Sequence, residues 1–105
     1  MAWLQLIFAG FLETYWSYHL KLSEGLTKLG PSVLTIIGMI ASFYFLSRAL
    51  KTLPLSIGYA VWTGIGAIGA TVVGWILLKE PFSGAKLFCV LLIAAGIVGL
   101  HLTAD

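Results

Sequence analysis

The sequence predicts an all-α membrane protein of four transmembrane helices, and three observations lead there. Of the 105 residues, 60% are hydrophobic and only 10% are charged, far from the mix of a soluble globular domain. The charges fall in clusters: Lys21, Glu24 and Lys28; Arg48 and Lys51; Lys79, Glu80 and Lys86; then Asp105. The stretches between them are apolar without period-2 alternation. A chain in lipid must satisfy its backbone polar groups internally, as helix or closed barrel, so continuous apolar runs select helix.

The first helix, about 2–20, is an apolar run broken by Glu13. No basic segment precedes it and three further spans follow, so it is expected to stay in the mature protein rather than act as a secretory signal. A connection from Lys21 to about Ser32 holds Ser23-Glu24-Gly25 and Gly30-Pro31-Ser32, which are turn and helix-start chemistry. The second helix is expected at about 32–48, within the charge-free run from Leu29 to Ser47. After a short link to Pro54 comes the third, about 54–78, and after Glu80-Pro81-Phe82-Ser83-Gly84 the fourth, about 85–103. Each run reaches the roughly 17–25 residues that a helix needs to cross a bilayer. Residues 1–105 thus read as a single transmembrane domain.

Short connections make successive helices antiparallel neighbours and put both termini on one side of the membrane. Lys and Arg number two on that side (Arg48, Lys51) against four on the other (Lys21, Lys28, Lys79, Lys86), a weak bias under the positive-inside rule. Two readings stay open: one orientation set by other signals, or dual topology.

Several functions are excluded. A net charge of +2, dispersed along the chain, does not suggest a nucleic-acid partner. Cys89 is alone, so no internal disulfide forms. Gly64-Ile65-Gly66-Ala67-Ile68-Gly69 has GxGxxG spacing, but it sits inside an apolar run without a preceding strand. Its better reading is packing, because Gly66, Ala70 and Gly74 recur every four residues and let another helix approach. Ala95 and Gly99 form a similar stripe on the fourth helix. No metal site, cofactor site or ATP motif is expected, and the pattern is not that of an enzyme.

Chemistry must therefore lie within the helices or at their ends, and Glu13 is the first candidate. A carboxylate near the bilayer centre costs about 2.5–3.5 kcal/mol on insertion scales, so such residues face a bundle interior or wet cavity. At 100° per residue, Leu6, Ala9, Gly10, Trp16 and Ser17 share its arc. An acid, an aromatic face and a gap left by two small residues thus form one wall. Tyr59, Trp62, Thr63 and Gly66 on the third helix, with Ser42 on the second, are candidates to complete the pocket. A carboxylate beside aromatic faces suits an organic cation, each ring adding about 0.5–2 kcal/mol. Burial disfavours the charged carboxylate whereas a bound cation favours it, so proton and cation compete for Glu13. That competition couples the two fluxes. His19 lies about 120° away around the helix and is expected to be interfacial, and Trp3, Tyr15, Tyr18 and Trp75 read as interface anchors.

The run Gly10-Phe11-Leu12-Glu13-Thr14-Tyr15-Trp16, followed by Leu20-Lys21, resembles the first helix of the small multidrug resistance family. Thr52-Leu53-Pro54, then Gly58-Tyr59-Ala60-Val61-Trp62-Thr63-Gly64-Ile65-Gly66-Ala67, looks like the family's third-helix signature. Gly10, Trp16, Ser42 and Glu80 are similar to its guanidinium-exporter subtype. The resemblance implies an antiparallel, dual-topology homodimer in the inner (plasma) membrane that exchanges protons for guanidinium by alternating access. Carried over by position, Glu13 binds proton or substrate, Ser42, Tyr59 and Trp62 orient the carboxylate, and Gly10 with Trp16 shapes the pocket. Met39 and Phe43 are expected at a lateral portal. The more polar segment Thr14-Tyr15-Trp16-Ser17-Tyr18-His19 departs from that subtype. Two alternatives remain: a broader exporter of quaternary ammonium or substituted guanidinyl cations, and a non-transporting subunit whose Glu13 pairs with a partner's base.

Overall fold

A computed structural model describes residues 2–103; Asp105, the last of the charge clusters, lies outside the described residues. Four helices follow one another: α1 (Ala2–Leu22), α2 (Leu29–Ala49), α3 (Leu55–Ile76) and α4 (Gly84–Thr103). Three of them, α2, α3 and α4, are long and apolar enough to cross a membrane. The first is equally long, but Gln5, Glu13, Thr14, Ser17 and His19 lower its apolar content.

The helix ends differ from the sequence expectation where local chemistry decides. α2 begins at Leu29, ahead of Gly30 and Pro31, because the first turn holds amide groups without intrahelical partners and a proline there removes no bond. α3 stops at Ile76 rather than running to 78. Lys79 takes a left-handed φ of 55°, and the Glu80 N–H donates to the Gly74 carbonyl at 2.9 Å, which closes the helix end. Between α1 and α2 the chain turns on Ser23, whose buried hydroxyl donates to the Leu20 carbonyl at 2.6 Å and accepts the Leu26 N–H at 3.0 Å. Glu24, Gly25 and Leu26 all have positive φ in this turn. Ser83 caps α4 by accepting the Lys86 N–H at 3.1 Å.

The Cα trace is a slab, 43 × 34 × 16 Å. α1 is its spine, packing on both α2 and α3, while α2 and α3 barely touch one another and α4 leans mainly on α3, meeting α1 where Trp3 lies edge-on to His101. The buried core follows from that arrangement: Leu6 and Ala9 of α1, Leu46 and Ala49 of α2, Val61 and Trp62 of α3. α4 has no buried residue. The Ala95/Gly99 stripe there finds no partner at Gly99 among the described residues, since nothing lies within 4 Å of the place a Cβ would take on it.

Candidate functional site

Small residues on α1 set the spacing from which the site is built. Ala9 is fully buried, and Ser42 of α2 comes close enough for its hydroxyl to donate to the Ala9 carbonyl at 2.8 Å. One turn further, Trp16 and Tyr15 lie against Gly38, where an added Cβ would sit 2.9 Å from either side chain. Ala9 opposite Ser42 and Trp16 opposite Gly38 make α1 and α2 antiparallel. On the other flank, Ile65 lies on Gly10, the Glu13 carboxyl group on Gly66 and Thr14 on Gly69, so α1 and α3 run parallel.

Glu13 therefore sits on the floor of the cleft that α2 and α3 leave between them. Its Oε1 is buried and has no hydrogen-bond partner among the described residues, and the same is true of Trp16 Nε1. Buried polar atoms are nearly always paired, so two unpartnered atoms one helical turn apart call for a ligand, a proton or another chain.

Four aromatic rings follow one another across the three helices. Trp16 and Phe43 have ring centroids 6.4 Å apart, Phe43 and Trp62 5.6 Å, and Trp62 and Tyr59 5.5 Å. These separations fall in the range of favourable aromatic pairs, and the run crosses from α1 over α2 to α3. Trp62 is nearly buried and Tyr59 is half exposed.

Of the residues predicted from sequence, Ser42 meets Trp62, and Trp16, Trp62 and Tyr59 fall on one run of rings, with two differences from expectation. Ser42 and Trp62 do not direct their donors at the carboxylate: the Trp62 Nε1–H donates to Ser42 Oγ at 3.0 Å, and Ser42 donates onward to Ala9. Gly10 and Ala9 do not leave a gap beside Glu13 either. Ile65 fills the first and Ser42 closes on the second, because small residues on a helix let neighbours approach rather than leave a void.

Sequence reasoning missed the Ala9 carbonyl as an acceptor, the link that Phe43 makes between two tryptophans, and the seat of the Glu13 side chain on Gly66. A backbone carbonyl has no sequence signal of its own. The glycine had one, its four-residue recurrence: it lets α1 approach, and the α1 side chain it receives is Glu13.

Residues 1–93 match the family described as small multidrug resistance protein. The chain belongs to the small multidrug resistance family. Among curated relatives of this small multidrug resistance protein is one from Citrobacter freundii named guanidinium exporter, 50% identical over 103 residues and covering 98% of both chains. One of the same name from Salmonella typhimurium (strain LT2) is 49% identical over 104 residues, 99% of both. Another from Yersinia pseudotuberculosis is 47% identical over 104 residues, 99% of this chain and all of the relative. Family and apolar helices together make this a multi-pass protein of the inner membrane.

The aromatic departures on α1 of this small multidrug resistance protein stand apart from the four-ring run. Tyr15 and Tyr18 pack about His19, with ring centroids 4.6 and 5.2 Å from it.

Proposed function

We propose that the chain exports guanidinium in exchange for protons, by alternating access, as an antiparallel dual-topology homodimer rather than as an enzyme. The observation that carries the reading is the buried, unpartnered carboxyl oxygen of Glu13 beside a continuous run of aromatic rings. The name shared by relatives of about half identity supports the substrate. The weakly biased loop charges are compatible with insertion in both orientations.

Guanidinium is planar, and its paired N–H donors match the two oxygens of one carboxylate. Trp16, one helical turn from the acid, adds an aromatic ring of the kind that attracts a cation. In the empty site a proton neutralises Glu13; when the cation pairs with the carboxylate, that proton leaves, and the site changes its facing only in one of the two neutralised forms. Proton and cation are thereby moved in opposite directions. With a Glu13 from each of two subunits at one site, the acids titrate as a coupled pair.

Ser42, Tyr59 and Trp62 orient the charged carboxylate. Ser42 is poised for this because Ala9, its present acceptor, precedes Glu13 by one turn of α1. In this reading the hydroxyl turns from the Ala9 carbonyl toward the carboxylate, and Trp62 continues to donate to its oxygen. Trp16, with Phe43 and Met39 on α2, borders the way in. Trp16 beside the acid makes the pocket compact, which favours a small planar cation over bulky quaternary ammonium compounds.

The test is guanidinium uptake into proteoliposomes of the purified chain under an imposed proton gradient, with Glu13→Gln as control. Flux that survives this substitution, or tight binding of bulky aromatic cations with guanidinium ignored, would overturn the reading.

A further inference from the structure

Two glycines of α3 receive polar side chains from α1. The first atom that a Cβ on Gly66 would meet is Glu13 Oε1, and the first that one on Gly69 would meet is Thr14 Oγ1. An acid and a hydroxyl from successive positions thus lie on one glycine stripe, a helical turn apart. Positions three residues apart on a helix are about 5–6 Å from one another at Cβ, so the two oxygens that rest on them are separated by about that distance. Oε1 is buried and has no partner among the described residues. Thr14 Oγ1 donates to the Gly10 carbonyl at 3.4 Å, the long limit of such a bond, whereas Ser17, one turn on, donates to the Thr14 carbonyl at 2.9 Å. With its one proton given to Gly10, the Thr14 hydroxyl has lone pairs left with which to accept.

We propose that Thr14 is a substrate-binding residue, whose hydroxyl accepts an N–H of the same cation that pairs with Glu13. The assignment rests on the transport reading and names a second contact in that site. Guanidinium carries donors and no acceptor, and a carboxylate engages only the edge that faces it. Each further N–H left unpaired away from water costs free energy. The spacing fits that need. Two acceptors that share one amino nitrogen, each about 2.9 Å from it along N–H bonds about 120° apart, stand about 5 Å from one another. The carboxyl oxygen on Gly66 and the hydroxyl on Gly69 are thus spaced for the two hydrogens of a single NH2 group. A quaternary ammonium ion has no N–H to give, so this contact weighs toward guanidinium.

Titration of guanidinium into the full chain in detergent, across a pH series, tests the assignment. Thr14→Val keeps the shape of the side chain and removes the hydroxyl. It is expected to weaken guanidinium binding by about tenfold at every pH, and Thr14→Ser to bind as the unaltered chain does. The pH midpoint of the affinity curve stays where it is, because the cation loses a contact while the proton on Glu13 loses none. A displaced helix would move that midpoint as well. Should Thr14→Val lose its helical circular dichroism, Thr14→Ala set against Thr14→Ser makes the same comparison. Unchanged guanidinium affinity without the hydroxyl, an equal loss in Thr14→Ser, or a shifted midpoint would each overturn the assignment and leave Glu13-dependent transport standing. Absence of Glu13-dependent binding in the unaltered chain would instead overturn the transport reading, and this assignment with it.

Discussion

The Ser42 hydroxyl donates to the Ala9 carbonyl at 2.8 Å while accepting the Trp62 indole N–H at 3.0 Å, so one buried oxygen ties α2 to both α1 and α3. No other side-chain hydrogen bond among the described residues joins all three helices. Ser42→Ala removes both bonds and leaves the indole donor unpaired in a buried place. Such a loss costs about 1–3 kcal/mol. The expected outcome is a lower midpoint in detergent-titrated unfolding, together with guanidinium flux reduced by about tenfold, the equivalent of ~1.4 kcal/mol. Flux that stays normal in a destabilised Ser42→Ala protein would separate the helix tie from carboxylate orientation.

Glu13→Gln preserves shape but can neither release a proton nor pair with a cation. It is expected to abolish proton-driven guanidinium uptake while the protein still elutes as the wild type does in size-exclusion chromatography. Glu13→Asp keeps the charge and withdraws it by one methylene from Gly66. Measurable flux at a reduced rate is expected there, because a misplacement of about 1 Å weakens an oriented contact without removing it.

Gly66→Ala tests the seat of the carboxyl group. A Cβ at that position would overlap the Glu13 side chain, while one at Gly96 on α4 would meet nothing within 4 Å. Both substitutions raise helix propensity by up to about 1 kcal/mol. Gly96→Ala is therefore expected to be neutral or slightly stabilising with full transport, and Gly66→Ala to lose most of its guanidinium flux. Equal behaviour of the two variants in proteoliposomes would show that the carboxyl group does not depend on Gly66.

The four helices were legible because the bilayer imposes a length and a polarity on every span, and the charges at Lys21 to Lys28, Arg48 to Lys51 and Lys79 to Lys86 mark where spans end. Glu13 was legible for the converse reason, being an ionisable group where lipid tolerates few. What the sequence withheld was the direction of individual bonds. Ser42 and Trp62 were identified as partners of the acid, yet Ser42 donates to the Ala9 carbonyl and Trp62 donates to Ser42, a choice fixed by how closely α1 and α2 approach.

Competition for one carboxylate makes a prediction about pH that distinguishes exchange from simple cation binding. If the cation must displace the proton on Glu13, acidification populates the protonated form and weakens the apparent affinity for guanidinium. Alkalinisation strengthens it until the site is fully ionised and affinity levels off. In the acidic limb the slope is up to about tenfold per pH unit for each proton displaced. Two coupled carboxylates sharing one site give a broader transition than a single acid. Isothermal titration of guanidinium into the detergent-solubilised protein across a pH series measures this directly, and repeating it in buffers of different ionisation enthalpy counts the protons released. Affinity that is flat with pH, or binding without proton release, would show that proton and cation occupy different places and would remove the basis for exchange at Glu13.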